Sequence, residues 1–209
     1  MQRLALAVSA LLVLSLPAMA EIPPGMIQNA NANAGSQAIR LGVTGWLQMT
    51  PAFTHHVLMN LTVPIVQMPW HAIIEAIPTV GTGSLVAGYL FQPGPLTITP
   101  GIGLRYFGAT GGPTDGFLYG PQAKLGARLQ ILPWLNLAAG MAYAPWLPVL
   151  NKTGAGSYAD FSASLGATFG RMTYSLGYLG YLVDAANPGL AAFQTPLVGG
   201  PTAGIAFAF

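Results

Sequence analysis

The chain has 209 residues, and Lys, Arg, Asp and Glu make up only 6% of it, against about 25% in a typical soluble domain. Its net charge is +2 and it has no run of basic residues, so the sequence lacks the basic surface that binds nucleic acid. The lack of cysteine excludes disulfides. Because 53% of the residues are hydrophobic and few are charged, the folded chain would expose too little polar surface to stay soluble in water. The composition therefore indicates a membrane protein.

Residues 1–20 have the pattern of a secretory signal peptide. Arg3 precedes a short apolar run, and Ala18-Met19-Ala20 places small residues where signal peptidase requires them, which predicts cleavage after Ala20. The apolar run is shorter than the about 20 residues that a membrane-spanning helix needs. Residues 21–36 show no apolar period and are predicted to form a leader before a membrane domain at residues 37–209.

No later segment has an apolar run long enough to cross a bilayer as a helix, because Gly, Pro, Gln, Thr and Asn interrupt every candidate. Inside a bilayer each backbone polar group must find its partner within the protein, which leaves a closed barrel as the alternative to helices. The sequence therefore predicts an all-β fold, a transmembrane antiparallel up-and-down β-barrel of 8–10 strands.

Apolar residues recur with a period of two over most of the chain after residue 37. This period predicts nine strands, near residues 37–50, 53–63, 84–91, 96–106, 119–131, 135–143, 161–169, 172–179 and 202–209. Residues 64–81 fit either a short helix opened by Pro69 or a tenth strand with His71 and Glu75 facing inward. Because bacterial single-chain barrels have an even number of strands, eight and ten both stay open.

Short and long connections alternate in the second half of the chain. Tight turns are predicted near Pro93, Pro133 and Gly170, and longer loops at residues 108–116, 145–157 and 184–200. Aromatic residues near the ends of the runs are predicted to form interfacial girdles. They are Trp70, Tyr106, Tyr119, Trp134, Tyr143, Trp146, Tyr158, Tyr178 and Tyr181.

The strand near residues 119–131 has two cations and two amides on one face and aliphatic residues on the other. A Lys or Arg facing lipid at mid-depth would cost about 2–4 kcal/mol, so the polar face is predicted to line the lumen. Glu75 is the only acid expected there, and only if its segment enters the barrel. Over all strands, the alternation places these polar residues inward: Arg40, Gln48, His56, Asn60, Arg105, Gln122, Lys124, Arg128, Gln130 and Asn136.

The last eight residues alternate apolar and small side chains and end on an aromatic carboxyl terminus. This pattern, with Gly204, Phe207 and Phe209, resembles the terminal strand by which the assembly machinery recognises bacterial outer-membrane barrels. Over residues 37–209 the chain also resembles, in architecture, the small barrels of the OmpA, OmpX and OmpW types. The resemblance implies a location in the bacterial outer membrane, with outer-membrane lipid and the barrel-assembly machinery as partners.

The sequence has few motifs that indicate catalysis or the binding of a metal or cofactor. His55, His56 and His71 lack the spacing of a zinc site, and the sequence has no phosphate-binding glycine loop, so we expect no metal, cofactor or enzymatic activity. The first hypothesis is a porin-like conduit or binding pocket for small solutes with a mildly anion-favouring lining. The alternatives are a non-conducting structural or surface-interaction barrel with a filled lumen and, last, a lipid-modifying outer-membrane enzyme.

Overall fold

The computed structural model describes residues 38–49, 53–65, 68–79, 81–109, 116–148, 155–185 and 195–209, so the predicted signal peptide and leader lie outside the described residues. The described residues form antiparallel strands β1 (Arg40–Gln48), β2 (Thr54–Pro64), β3 (Trp70–Ile77), β4 (Thr82–Tyr89), β5 (Leu96–Ala109), β6 (Gly116–Leu132), β7 (Leu135–Pro148), β8 (Ala155–Phe169), β9 (Met172–Ala185) and β10 (Thr195–Ala208). The same ranges contain no helix with the length and hydropathy to cross a bilayer.

The strands close into one barrel in which each strand pairs with its neighbours in sequence and β1 pairs with β10. The closing seam runs from Arg40 opposite Ala208 to Trp46 opposite Thr202. This topology confirms the predicted all-β, antiparallel up-and-down barrel, and of the two strand numbers left open it has ten.

Residues 70–77, which the sequence left between helix and strand, form β3. Glu75 lies opposite Asn60 on β2 and opposite Ser84 on β4. This register puts Glu75 on the inner face with Asn60, and His71, four residues earlier on the same face, is buried. A helix here would leave the facing edges of β2 and β4 without the partner strand that pairs with both of them in the closed barrel.

The connections define two ends of the barrel. The turn end holds Arg40, Ala208 and the connections at residues 65–69, 90–95, 133–134 and 170–171. The loop end holds the connections at residues 49–53, 78–81, 110–115, 149–154 and 186–194. At the turn end Gly94 and Gly170 have positive φ values of 65° and 60°, which glycine adopts without the steric penalty of a Cβ atom.

Several strands extend further toward the loop end than predicted. The predicted loop at 145–157 is wrong at both bounds, since β7 ends at Pro148 and β8 begins at Ala155, and the loop at 184–200 shrinks in the same way. The loop at 108–116 also loses its first two residues and its last one to strands. Pro and Gly residues predicted that these strands end early. The pairing instead continues past two of the prolines through register shifts, between Ala144 and Leu147 and between Thr195 and Val198.

The outer face of the barrel is apolar. On β5, for example, Ile102, Leu104 and Tyr106 are 71%, 59% and 46% exposed, while Arg105 between them points inward and is 3% exposed. Exposed large hydrophobic side chains occur on all ten strands. The barrel therefore carries its charged groups inside and its apolar groups outside, the reverse of a soluble protein.

Candidate functional site

A cavity of about 270 Å³ lies in the lumen. It extends from the turn end, where it touches Asn136 and Thr173, to Tyr158 in the loop half. The lumen of an eight-stranded barrel is just filled by side chains, whereas ten strands leave more room. Six of the predicted lumen residues line this cavity: Arg40, Asn60, Arg105, Lys124, Arg128 and Asn136.

Two other predicted lumen residues, Gln122 and Gln130, lie outside the cavity lining. Gln122 is 4% exposed, and neither its Oε1 nor its Nε2 has a hydrogen-bond partner among the described residues. Gln130 lies at the turn end, where its Nε2 donates to the backbone oxygens of Leu132 and, at 3.4 Å, Leu135. Gln130 thus supports the turn between β6 and β7.

Gln48 and His56 contact each other near the loop end of β1 and β2. The His56 Nε2 lies 3.0 Å from both Gln48 Oε1 and Thr54 Oγ1, and the Nδ1 lies 2.8 Å from Thr79 Oγ1. The ring also packs on Trp46, with centroids 4.9 Å apart. Within the described ranges no three His, Asp or Glu side chains come together as a metal site. These contacts fit a packed histidine at the loop end.

One ion pair crosses the middle of the lumen. The Lys124 Nζ on β6 donates to Glu75 Oε1 on β3, and Ser84 Oγ donates to Glu75 Oε2 at 3.1 Å. Both charged side chains are about one-fifth exposed within the cavity. The pair holds two charges at fixed positions on opposite parts of the wall, because β3 and β6 are not neighbours.

A second ion pair lies closer to the loop end. Arg105 donates from its Nη2 to Asp160 Oδ2, and the guanidinium carbon lies 4.0 Å from the ring centre of Tyr158. The expectation that Glu75 would be the only acid in the lumen is therefore wrong. Asp160 precedes the strand predicted at residues 161–169, and its place two residues before Ser162, on the polar face, was the signal available in the sequence.

Apolar side chains fill the loop half of the lumen. They form what we call the lumen cluster: Trp46, Phe107, Leu118, Ala144, Leu147, Tyr158, Tyr181, Val183 and Val198. Its rings are in contact, with centroids 5.6 Å apart between Trp46 and Tyr181 and 6.0 Å apart between Tyr158 and Tyr181. The charged side chains thus lie toward the turn end and mid-lumen, whereas the lumen cluster lies toward the loop end, beside the polar side chains of Gln48, His56 and Thr82.

The lumen cluster corrects part of the predicted aromatic girdles. Tyr158 and Tyr181 are 3% and 5% exposed and face inward, because each lies two residues from a residue on its own strand that lines the cavity, Asp160 on β8 and Leu179 on β9. The other aromatic residues of the prediction are exposed on the outer face: Trp70, Tyr106, Tyr119, Trp134, Tyr143, Trp146 and Tyr178.

The aromatic residues at the carboxyl end of β10 and directly after it point outward. Phe207 and Phe209 are exposed, and their ring centroids lie 4.9 Å apart. Gly204 faces the lumen, where an added methyl group would lie 2.5 Å from Thr44 Oγ1 and 3.0 Å from Ser175 Oγ. Glycine at this position therefore lets β1, β9 and β10 approach each other closely at the seam.

No protein-family model and no curated protein sequence matches this chain. Among solved structures, the chain is similar to a CymD monoaromatic hydrocarbon channel, over 88% of this chain and 70% of that one. The sequence identity is 11% and the TM-score 0.34, so the likeness concerns barrel architecture alone.

Proposed function

We propose that this chain is a bacterial outer-membrane β-barrel that acts as a conduit or binding pocket for small polar solutes. The observation that carries this proposal is the charged cavity enclosed by a wall whose outer face is apolar on every strand. Such a wall is stable in contact with acyl chains, since all strands are paired and the barrel has no free edge. The predicted signal peptide and the aromatic terminal strand support export and recognition by the barrel-assembly machinery.

The cavity offers fixed polar groups to a solute. The Lys124–Glu75 and Arg105–Asp160 pairs supply charges of both signs at mid-lumen, and Arg40 and Arg128 add positive charge near the turn end. Groups of this kind replace part of the hydration shell of a polar solute within a narrow lumen. The excess of cations favours anionic over cationic solutes.

The lumen cluster acts as the closed gate of the conduit. Narrow apolar constrictions exclude water and ions, and they open when the apolar side chains move apart. Passage through the barrel in this proposal requires displacement of the lumen cluster.

Conductance of the refolded protein in a planar bilayer tests this proposal. We expect small anion-selective openings, and we expect Lys124→Glu to shift the selectivity toward cations. The swap of Lys124→Glu with Glu75→Lys restores the pair and should restore the anion preference. The conduit is rejected if the wild type shows no conductance and a variant with smaller side chains in the lumen cluster shows none either.

A second candidate is a non-conducting structural or surface-interaction barrel, which the tight packing of the lumen cluster favours. The loops that would meet partners, at residues 110–115, 149–154 and 186–194, lie outside the described residues. If deletion of these loops leaves adhesion and envelope integrity unchanged, this second role is excluded.

We infer that the barrel is not an enzyme, since both ring nitrogens of His56 contact Gln and Thr side chains rather than a serine nucleophile. Overexpression of the wild type and of His56→Ala should leave lipid A equally unmodified. A lipid change that depends on His56 would contradict the inference.

A further inference from the structure

The two ion pairs of the mid-lumen share one stretch of the wall. Ser84 on β4 lies directly opposite both Glu75 on β3 and Arg105 on β5. Lys124 on β6 and Asp160 on β8 both lie opposite the same residue of β7. We call Glu75, Arg105, Lys124 and Asp160 the charge quartet. Its two cations and two carboxylates are engaged with each other, so its net charge is zero.

The charge quartet keeps hydrogen-bonding capacity although its charges are paired. The Lys124 ammonium has three donors, one of which Glu75 accepts, and a carboxylate has about four positions for donors. An ionic solute would have to separate a buried ion pair, which is strongly unfavourable. A group that both donates and accepts hydrogen bonds can use the remaining positions and leave the pairs intact, and a hydroxyl group does both.

Hydroxyl side chains line the other side of the cavity, on β8, β9, β10 and β1. Of these strands, β9, β10 and β1 lie five strands around the ten-strand barrel from β4, β5 and β6. Ser162 is two residues from Asp160 on β8, so the hydroxyl groups begin next to the charge quartet. What we call the hydroxyl wall consists of Thr44, Ser162, Ser164, Ser175 and Thr202, which all line the cavity.

Glycines leave space in front of the hydroxyl wall. A methyl group at Gly204 would lie 2.5 Å from Thr44 Oγ1 and 3.0 Å from Ser175 Oγ, so these two hydroxyl groups converge on one point. A methyl group at Gly140 would lie 3.1 Å from Ser162 Oγ. The cavity therefore has paired charges on one side and closely spaced hydroxyl groups on the other.

We propose that the mid-lumen binds a small neutral polyol, of the size of a monosaccharide, between the charge quartet and the hydroxyl wall. This inference rests on the proposed function, since it names a class of solute that the same lumen takes. Each hydroxyl group of a polyol can pair with a carboxylate, the ammonium group or a wall hydroxyl. The cavity volume of about 270 Å³ lies just below the usual range for drug-sized ligands, roughly 300–1,000 Å³, which selects a small solute.

A neutral bound solute is compatible with the anion preference proposed for the conductance. That preference compares ions of opposite sign that pass through the whole lumen. The polyol site concerns only the mid-lumen, where the charge quartet is neutral.

Calorimetric titration of the refolded full chain, in a detergent without a sugar headgroup, tests the site. The neutral probes are glucose and erythritol, and the charged probes are glucuronate and glucosamine, which keep the sugar ring. We expect saturable binding of at least one neutral probe. Both charged probes should bind about tenfold more weakly or worse, because an added charge has to compete with an ion pair.

Thr44→Val with Ser175→Ala removes two hydroxyl groups of the wall and little volume. This double variant should weaken the binding of the neutral probe about tenfold, because it removes two hydrogen bonds between uncharged groups. Thr97→Val with Ser157→Ala is the matched control, since it makes the same two substitutions at residues that do not line the cavity. The control should bind like the wild type. If the first double variant does not refold, Ser162→Ala with Thr202→Val takes its place with the same criterion.

Absence of saturable binding of both neutral probes to the wild type overturns the proposal, and so does equal affinity of the wild type and the hydroxyl-wall variant. Tighter binding of a charged probe than of both neutral ones would also overturn it. Conductance separates this inference from the proposed function. A conducting wild type that binds neither neutral probe refutes the polyol site alone, whereas binding without conductance refutes the conduit alone.

Discussion

At the scale of single residues, the Arg105–Asp160 pair is the most buried charge pair in the described part of the lumen. The side chains of Arg105 and Asp160 are 4% and 16% exposed. We expect Asp160→Asn to lower the free energy of unfolding by about 3 kcal/mol, because it leaves a buried guanidinium without its counter-charge. The measurement is the urea midpoint of refolded barrels in lipid vesicles.

The matched control for this prediction is Glu75→Gln, which breaks the more exposed Lys124–Glu75 pair. The Lys124 side chain is 18% exposed against 4% for Arg105, so the loss should be smaller than that of Asp160→Asn. Equal losses for the two variants would mean that burial does not set the strength of these pairs.

The alternation of side chains predicted which face each of these residues occupies, but not which residues meet. Lys124 and Glu75 are 49 residues apart in sequence, and Arg105 and Asp160 are 55 apart. A period of two fixes inward or outward direction within a strand, whereas contact across the lumen depends on the register of every strand between the two. The sequence therefore predicted the cations and Glu75 in the lumen, but not Asp160 and not which residues pair.

At the scale of strands and turns, glycines serve two different needs. Gly103 on β5 faces the backbone of β4, and a methyl group there would overlap the carbonyl oxygen of Leu85. Gly170 has a positive φ, and nothing lies within 4 Å of an added methyl group. The first glycine is required by close packing between strands and the second by backbone conformation alone.

We therefore expect unequal effects of the two alanine variants. Gly103→Ala should cost about 3 kcal/mol of folding stability, because the strand must move to avoid the overlap. Gly170→Ala should cost about 1 kcal/mol, the strain of a left-handed residue in a turn. Urea unfolding in vesicles compares the two, and a larger loss for Gly170→Ala would contradict this assignment of roles.

The sequence predicted nine of the ten strands because apolar and polar residues alternate clearly in them. It did not decide β3, where Trp70, Ile73 and Ile74 break the period of two and also fit a helix. The predicted end of β7 and the predicted start of β10 are also wrong, because Pro145 and Pro201 indicate the end of a strand when no partner strand is known. Register shifts and pairing around the barrel accommodate these residues, and neither can be read from a single strand.

At the scale of the whole molecule, the apolar outer face predicts how the barrel responds to charge on its surface. Ile102 lies in the middle of β5 and is 71% exposed, whereas Phe169 ends β8 at the turn end. Ile102→Arg should cost about 2–4 kcal/mol in lipid, and Phe169→Arg about 0–1 kcal/mol, because the cost of a lipid-facing cation falls toward the interface. Equal effects in vesicle unfolding would argue against insertion at this depth.

The two halves of the lumen also predict what limits flow through the barrel. Trp46 and Leu147, which are 1% and 0% exposed, belong to the lumen cluster in the loop half of the lumen. If the lumen cluster is the gate, replacing large apolar side chains by alanine should admit water and ions. We expect Trp46→Ala with Leu147→Ala to raise single-channel conductance several-fold over the wild type in planar bilayers.

Trp146→Ala with Leu104→Ala is the matched control, because it removes the same two kinds of side chain from the outer face, where both residues are 59% exposed. Their loss changes the outer face but not the lumen, so conductance should stay at the wild-type level. A rise in both double variants would indicate general loosening of the wall. A rise in neither would place the barrier to flow elsewhere and favour the non-conducting barrel, since an alanine-lined passage would then still be closed.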